Sequence, residues 1–222
     1  MITVEQKKIE EITEMTKDVE RLLVLGCETC AAISFAGGRR QVEELCAALR
    51  LARADQSIRG EITGDSVARQ CEPEFIDMAS DKINDSDAVL SLACGAGVQL
   101  IAERFPDKIV FPGTNTTFLG VTERLGLWTE RCAGCGNCLL DKTAGLCPIA
   151  RCAKQLLNGP CGGSMNGKCE ISKDVDCVWQ QIIDRLSRLD QLDKLSEIFP
   201  VKDWTPAGHG GPRKLVREDL KS

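Results

Sequence analysis

The chain has 222 residues, 43% of them hydrophobic, which is enough for one or two ordinary cores without cysteines rescuing a small fold. A formal net charge of −5 argues against broad nucleic-acid binding, and no apolar run approaches the ~20 residues a membrane-crossing helix needs. Thirteen cysteines, an odd count, argue against an all-disulfide framework. The charged start MITVEQKKIEEITEMTKD lacks a signal peptide's apolar run, so the expected location is cytoplasmic, where thiols stay reduced and clustered cysteines more often bind metals.

Residues 1–19 read as an amphipathic helix leading into RLLVLGC (21–27), a short apolar run that reads as a buried strand. Val42, Leu45, Ala48, Leu49 and Ala52 recur at helical spacing and place a helix over 39–53, after Gly37 and Gly38. IRGEIT (58–63) is the next expected strand, and 72–85 a helix with Pro73 near its start. DAVLSLAC (87–94) reads as a strand, followed by the small-residue turn Gly95-Ala96-Gly97 and a helix through Phe105; KIVFP (108–112) is expected to be the last strand. Alternation of strands and helices predicts an α/β domain over 1–128 with a parallel, doubly wound, Rossmann-like sheet.

Cysteines punctuate that sheet. Cys27 and Cys94 end predicted strands, and Cys30 and Cys71 lie just beyond strands. Ligands of open α/β sheets bind at the carboxyl ends of the strands, so these four could meet around one metal centre although far apart in sequence. The CxxC of Cys27 and Cys30 also suits thiol–disulfide exchange, and each of the four could be a buried core cysteine. Cys46, on the apolar face of the 39–53 helix, is assigned to the core. Cys94-Gly95-Ala96-Gly97 is not GxGxxG and has no ribose-reading acidic residue at the right distance; its glycines are expected to let backbone amides approach a cluster.

Residues 129–199 form a cysteine-rich, mainly loop and helical domain. Cys132, Cys135 and Cys138 have CxxCxxC spacing, and Cys147-Pro148, Cys152, Cys161, Cys169 and Cys177 follow. A close triplet followed by Cys-Pro is the arrangement by which ferredoxins hold a cubane, because two-residue spacers with glycine let a loop wrap a compact anion. The spacer before Cys-Pro is stretched to eight residues here, and the later cysteines are separated by eight, seven and seven. Structural zinc is the competitor, but it typically uses two separated CxxC knuckles. Residues 178–199 place Ile182, Leu186, Leu189, Leu192 and Leu195 at helical steps and predict an amphipathic helix.

The tail, 200–222, is rich in proline and glycine. It carries Trp204 and the basic residues Arg213, Lys214 and Arg217, which suit a groove on another subunit; packing back onto its own domain is the other reading. The single imidazole, His209, lies in TPAGHGGP, a poor setting for a Ser-His-Asp enzyme.

The strings GCETCAAISFAGGRRQVEEL, RQCEPEF, LACGAGVQ, CAGCGNC and LCPIARCAKQLLNGPCGGSMNGKCEI…DCVWQQI make the chain resemble, over about residues 20–190, the small iron–sulfur subunit of two-subunit methylenetetrahydrofolate reductases of acetogens and other anaerobes. The C-terminal part also resembles a cysteine-rich segment fused to some reductases of this kind. The resemblance implies a non-catalytic iron–sulfur electron-transfer subunit in one-carbon metabolism. Such a subunit feeds the FMN of a flavoprotein partner that reduces 5,10-methylenetetrahydrofolate to 5-methyltetrahydrofolate, with ferredoxin or another protein as electron donor. With Cys46 set aside, twelve cysteines suffice for up to three [4Fe-4S] clusters. One would use Cys27, Cys30, Cys71 and Cys94; a second Cys132, Cys135, Cys138 and either Cys177 or Cys147; the remainder a third. Zinc at one site, a structural zinc scaffold without redox role, and a free-standing dithiol enzyme using Cys27 and Cys30 are the alternatives.

Overall fold

The computed structural model describes residues 1–208, 211–217 and 219, so the reading of His209 lies outside the described residues. The chain divides into two compact units, Met1–Trp128 and Thr129–Ser222. In the first, β2 (Arg21–Cys27), β3 (Glu61–Val67), β4 (Ala88–Ser91) and β5 (Ile109–Pro112) pair in parallel in the order β3-β2-β4-β5. β2 is apolar on both faces because both are covered. Leu22 and Val24 pack with Ile12, Leu45, Leu49 and Leu90, a core that draws on α1 (Ile9–Met15) and α3 (Arg39–Asp55). Leu23 and Leu25 pack with Ile76, Ile83, Val89 and Ile101, a core that draws on α4 (Pro73–Asp77), α5 (Ser80–Asp85) and α6 (Gly95–Arg104). This is the doubly wound parallel sheet that the strand–helix alternation predicts.

After β2 the chain crosses to β3 on one side of the sheet; after β4 it crosses to β5 on the other. The carboxyl ends of β2 and β4 therefore flank the point where the winding reverses, which is where open α/β sheets leave a crevice for ligands.

Several element boundaries differ from the sequence reading. Residues 1–19 hold a strand, β1 (Ile2–Gln6), before the short α1, and the 72–85 helix is split into α4 and α5 around Met78 and Ala79. The third strand lies at Glu61–Val67 rather than 58–63, and Gly95-Ala96-Gly97 is the first turn of α6 rather than a separate turn. β5 is not the last strand: β6 (Thr114–Arg124) and β7 (Leu127–Cys132) follow, and β1-β6-β7 form an antiparallel sheet. β1 was hidden because its five residues pair with β6, near the far end of the unit's sequence, and local periodicity carries no trace of that.

Arg53 shows how the first unit closes. Its side chain is buried, and its two terminal nitrogens donate to the carbonyls of Val19 (3.1 Å) and Thr16 (2.5 Å), at the end of α1 and just before β2. Burial lowers its pKa from the ordinary arginine value. Arg53→Met removes both charged donors and leaves the Val19 carbonyl without its donor, while the Thr16 carbonyl keeps the amide of Val19 (3.2 Å); urea titration should show a loss of about 2 kcal/mol.

The second unit has little regular structure. α8 (Val178–Arg188) buries Val178, Trp179, Ile182 and Leu186 against Leu146, Cys152 and Leu156. Helix ends earlier than 178–199 predicts: the chain turns through Asp190 at positive φ into a 3-10 turn at Leu192–Ser196, and Leu189, Leu192 and Leu195 are exposed. Among the described residues no helix is long and apolar enough to cross a membrane.

Candidate metal centres

Cys27, Cys30, Cys71 and Cys94 all lie at or shortly beyond the carboxyl ends of strands of the first unit's parallel sheet. Cys27 is the last residue of β2; Cys30 is three residues on, at the start of the one-turn α2 (Cys30–Ile33); Cys94 caps α6 just beyond β4. Cys27 belongs to a cluster of buried residues with Val4, Ala31, Ala36 and Ala93, and the partly buried Cys94 packs against it. Cys71 comes from the loop after β3. Its thiol pKa is raised, first by desolvation and then by the negative charge that Cys27 and Cys94 would carry. The influence of Cys27 and Cys94 on Cys71 means that the Cys71 side chain lies near both of them. Cys30 follows Cys27 by a two-residue spacer.

A buried polar chain holds this arrangement. Gln70, immediately before Cys71, is wholly buried; its Nε2 donates to the carbonyl of Leu25 (2.8 Å), two residues before Cys27. Its Oε1 accepts from the Ser91 hydroxyl (2.5 Å), and Ser91 Oγ accepts in turn from the amide of Ala93 (3.3 Å), the residue before Cys94. The glycines expected to let amides approach a cluster serve other ends here. The amide of Gly95 donates to Thr116 Oγ1 (2.9 Å), and a Cβ on Gly97 would meet Gln70 Cβ at 2.7 Å. Sequence reasoning missed Gln70, whose only signal is its place beside a cysteine.

The second unit presents two pockets, each lined by four cysteines. Cys132, Cys135, Cys138 and Cys147 line one, together with Gly134, Gly136 and Ile149. Gly134 and Gly136 take positive φ, which bends the CxxCxxC loop back on itself, and the Gly134 amide donates to Cys132 Sγ (3.3 Å). Cys152, Cys161, Cys169 and Cys177 line the other, with Lys154, Glu170 and Trp179. There Cys161 donates to Glu170 Oε2 (3.4 Å) and Lys154 Nζ bonds the same oxygen (2.6 Å); the lysine, then the thiol, hold the Glu170 carboxyl below its ordinary pKa. The short α7 (Pro148–Arg151) has Cys147 as its N-cap and Cys152 as its C-cap, so one helical turn, with roughly 8 Å of rise, joins the two pockets.

The sequence left Cys147 and Cys177 as rivals for the place beside the triplet. Cys147 lines the triplet's pocket, and Cys177 lines the other. Cys46 stands apart, buried between α3 and β3 with its thiol directed to the Thr63 carbonyl (3.8 Å), and burial raises its pKa.

The tail folds onto the triplet loop within its own unit. Lys202 Nζ donates to the carbonyl of Asn137 (2.7 Å), and Arg213 Nη1 to the carbonyls of Gly134 (2.6 Å) and Pro206 (2.9 Å). Pro206 fills the space where a Cβ on Gly136 would stand, 2.7 Å from Pro206 Cβ. Trp204, expected as an anchor, is 37% exposed with the Lys202 ammonium over its ring, 5.4 Å from the centroid.

The donor chemistry can be weighed against the two metals. Around a single zinc ion, four sulfurs at ~2.3 Å stand about 3.8 Å apart. Around a cubane they stand about 6 Å apart, one on each iron. Among the described residues no three His, Cys, Asp or Glu side chains are grouped to hold one metal ion.

A family model described as the C-terminal region of methylene-tetrahydrofolate reductase matches residues 111–205. That is fewer than half of the chain, and it includes the eight cysteines of the second unit's two pockets but not those at the switch point. The match relates the chain to methylenetetrahydrofolate reductases through this segment. No curated protein and no solved structure matches the chain.

Proposed function

We propose that this chain is an electron-transfer subunit of a methylenetetrahydrofolate reductase, with iron–sulfur clusters at three cysteine quartets. These are Cys27, Cys30, Cys71 and Cys94; Cys132, Cys135, Cys138 and Cys147; and Cys152, Cys161, Cys169 and Cys177. The observation that carries the reading is the pair of pockets in the second unit, each lined by four cysteines and by no other complete ligand set. The quartet at the switch point and the reductase-like segment at residues 111–205 support it.

When bound, such clusters supply one-electron transfer at potentials set by charge, hydrogen bonds and exposure. The chain's own residues do the rest. The thiolates bind, and the Gly134 amide offers a hydrogen bond to Cys132 sulfur. α7 ties the second and third quartets together at short range. Reduction of the folate belongs to a flavin-bearing partner, since a flavin can collect two single electrons and pass a hydride equivalent.

The test is an anaerobic preparation assayed for iron, acid-labile sulfide and zinc. About twelve iron atoms per chain and a brown colour, with a broad shoulder near ~400 nm that bleaches on reduction, are expected for three cubanes. A colourless chain loaded with zinc overturns the reading in favour of a structural scaffold. The physiological role is tested by adding the reduced chain to a flavin-bearing methylenetetrahydrofolate reductase and following flavin bleaching.

A further inference from the structure

Lys202 is 7% exposed, in a tail segment whose composition offers little to bury. Its ammonium donates to the Asn137 carbonyl at 2.7 Å, and the Cys135 thiol is directed to that same oxygen at 3.8 Å. Cation and sulfur therefore approach the same oxygen. Among the described residues no carboxylate forms an ion pair with Lys202. Asp203, its neighbour, feels the ammonium's charge, but its Oδ1 bonds the amide (2.9 Å) and hydroxyl (2.7 Å) of Thr205. A buried ammonium whose hydrogen bond goes to a carbonyl, with no carboxylate in direct ion-pair contact among the described residues, is costly, because its desolvation is only partly offset. Besides Asp203, the Cys135 thiol on the shared Asn137 oxygen could supply such charge, once it and the other thiols of its pocket, Cys132, Cys138 and Cys147, are ionised on a metal group.

Resting on the cluster reading above, we propose that Lys202 is the built-in counter-charge of the centre at Cys132, Cys135, Cys138 and Cys147, and that it favours that centre's reduced form. The tail is the strap that carries it there. Arg213 fastens the strap to the Gly134 carbonyl, and Pro206 closes over Gly136 where only glycine leaves room. When an added one-electron reductant such as dithionite gives its electron to the centre, the negative charge beside Lys202 grows by one. The ammonium stabilises that state more than the oxidised one. Lys202 acts through charge and loop position; it is a positioning residue and takes no electron or proton itself.

The experiment uses the full chain, purified anaerobically, with Lys202→Met and Lys202→Arg compared in a potentiometric titration followed by paramagnetic resonance. The centre concerned is the signal missing from Cys132→Ala. Lys202→Met keeps the length of the stem and removes the charge. It is expected to retain iron and to lower the reduced-to-oxidised ratio of that signal about tenfold at fixed potential, close to 59 mV for one electron. The other signals stay in place, and Lys202→Arg stays near the unsubstituted chain.

Full iron with an unmoved signal in Lys202→Met overturns the proposal. So does an equal change in both variants, since packing rather than charge would be their common cause. If instead Cys132→Ala loses no iron and no signal, the assignment of a cluster to this quartet fails, and that result is distinct from the other two.

Discussion

Replacing Cys132 and Cys147 together by alanine is expected to remove no more iron than replacing either alone, whereas Cys132→Ala combined with Cys177→Ala removes about twice as much. The two pairs differ only in which pocket their members line. Cys132 and Cys147 line one, and Cys177 lines the other with Cys152, Cys161 and Cys169. A cubane that loses one thiolate ligand is destabilised as a unit, so a second loss from the same quartet has little left to remove, and residues acting as one unit are non-additive. Losses from separate quartets add. On twelve iron atoms, single variants and the Cys132/Cys147 pair should each retain about eight, and the Cys132/Cys177 pair about four. The reverse order, about eight in the Cys132/Cys177 pair and about four in the Cys132/Cys147 pair, would show that the triplet recruits Cys177, the rival partner that sequence alone left open. Cys46→Ala provides the control: its thiol is turned to the Thr63 carbonyl inside the core, and iron should not change.

What could be read from sequence follows how local each signal is. β2 and β4 were legible because a strand buried on both faces must be apolar throughout, and a run such as RLLVLGC has few other meanings. The core position of Cys46 was legible from helical spacing alone. That Cys132, Cys135 and Cys138 share one loop and line one pocket was legible because their two-residue spacers are local. The antiparallel sheet was not: β1 pairs with β6 across nearly the whole first unit, and neither strand announces its partner. The helix beyond Arg188 was overextended because Leu189, Leu192 and Leu195 keep the helical period without a surface to bury against, and periodicity alone cannot show that absence. Membership of the later cysteines depended on how α7 and α8 bring 147, 152 and 177 together, which is tertiary information. Gln70 and Lys202 escaped notice for the same reason, since a buried amide or ammonium in the fold looks like any surface residue in a sequence.

Gln70→Leu is the second substitution with a large expected effect, and it bears on the first unit alone. The leucine fills similar volume, so the change isolates the loss of hydrogen bonds. Leu25 loses the side-chain donor but keeps the amide of Leu92 (2.8 Å), so its carbonyl is not orphaned. Ser91 is worse placed: its hydroxyl loses the Oε1 acceptor inside a wholly buried site while still receiving the Ala93 amide. A buried hydroxyl left without its acceptor costs about 1–3 kcal/mol, so urea titration should report a loss near 2 kcal/mol. The larger consequence is positional. Gln70 ties the residue before Cys71 to the strand end that carries Cys27 and, through Ser91, to the turn that carries Cys94. With that tie gone, the loop of Cys71 is held chiefly by its neighbours α4 and β3, and three sulfurs lose their common frame. The variant should fold, by circular dichroism, and lose about four of twelve iron atoms, all from the switch-point quartet. Adding Cys27→Ala to it should then cost no further iron. Full iron in a folded Gln70→Leu would show that the cysteine loop is positioned without the buried amide, and a proportional loss from all three quartets would point to general instability instead.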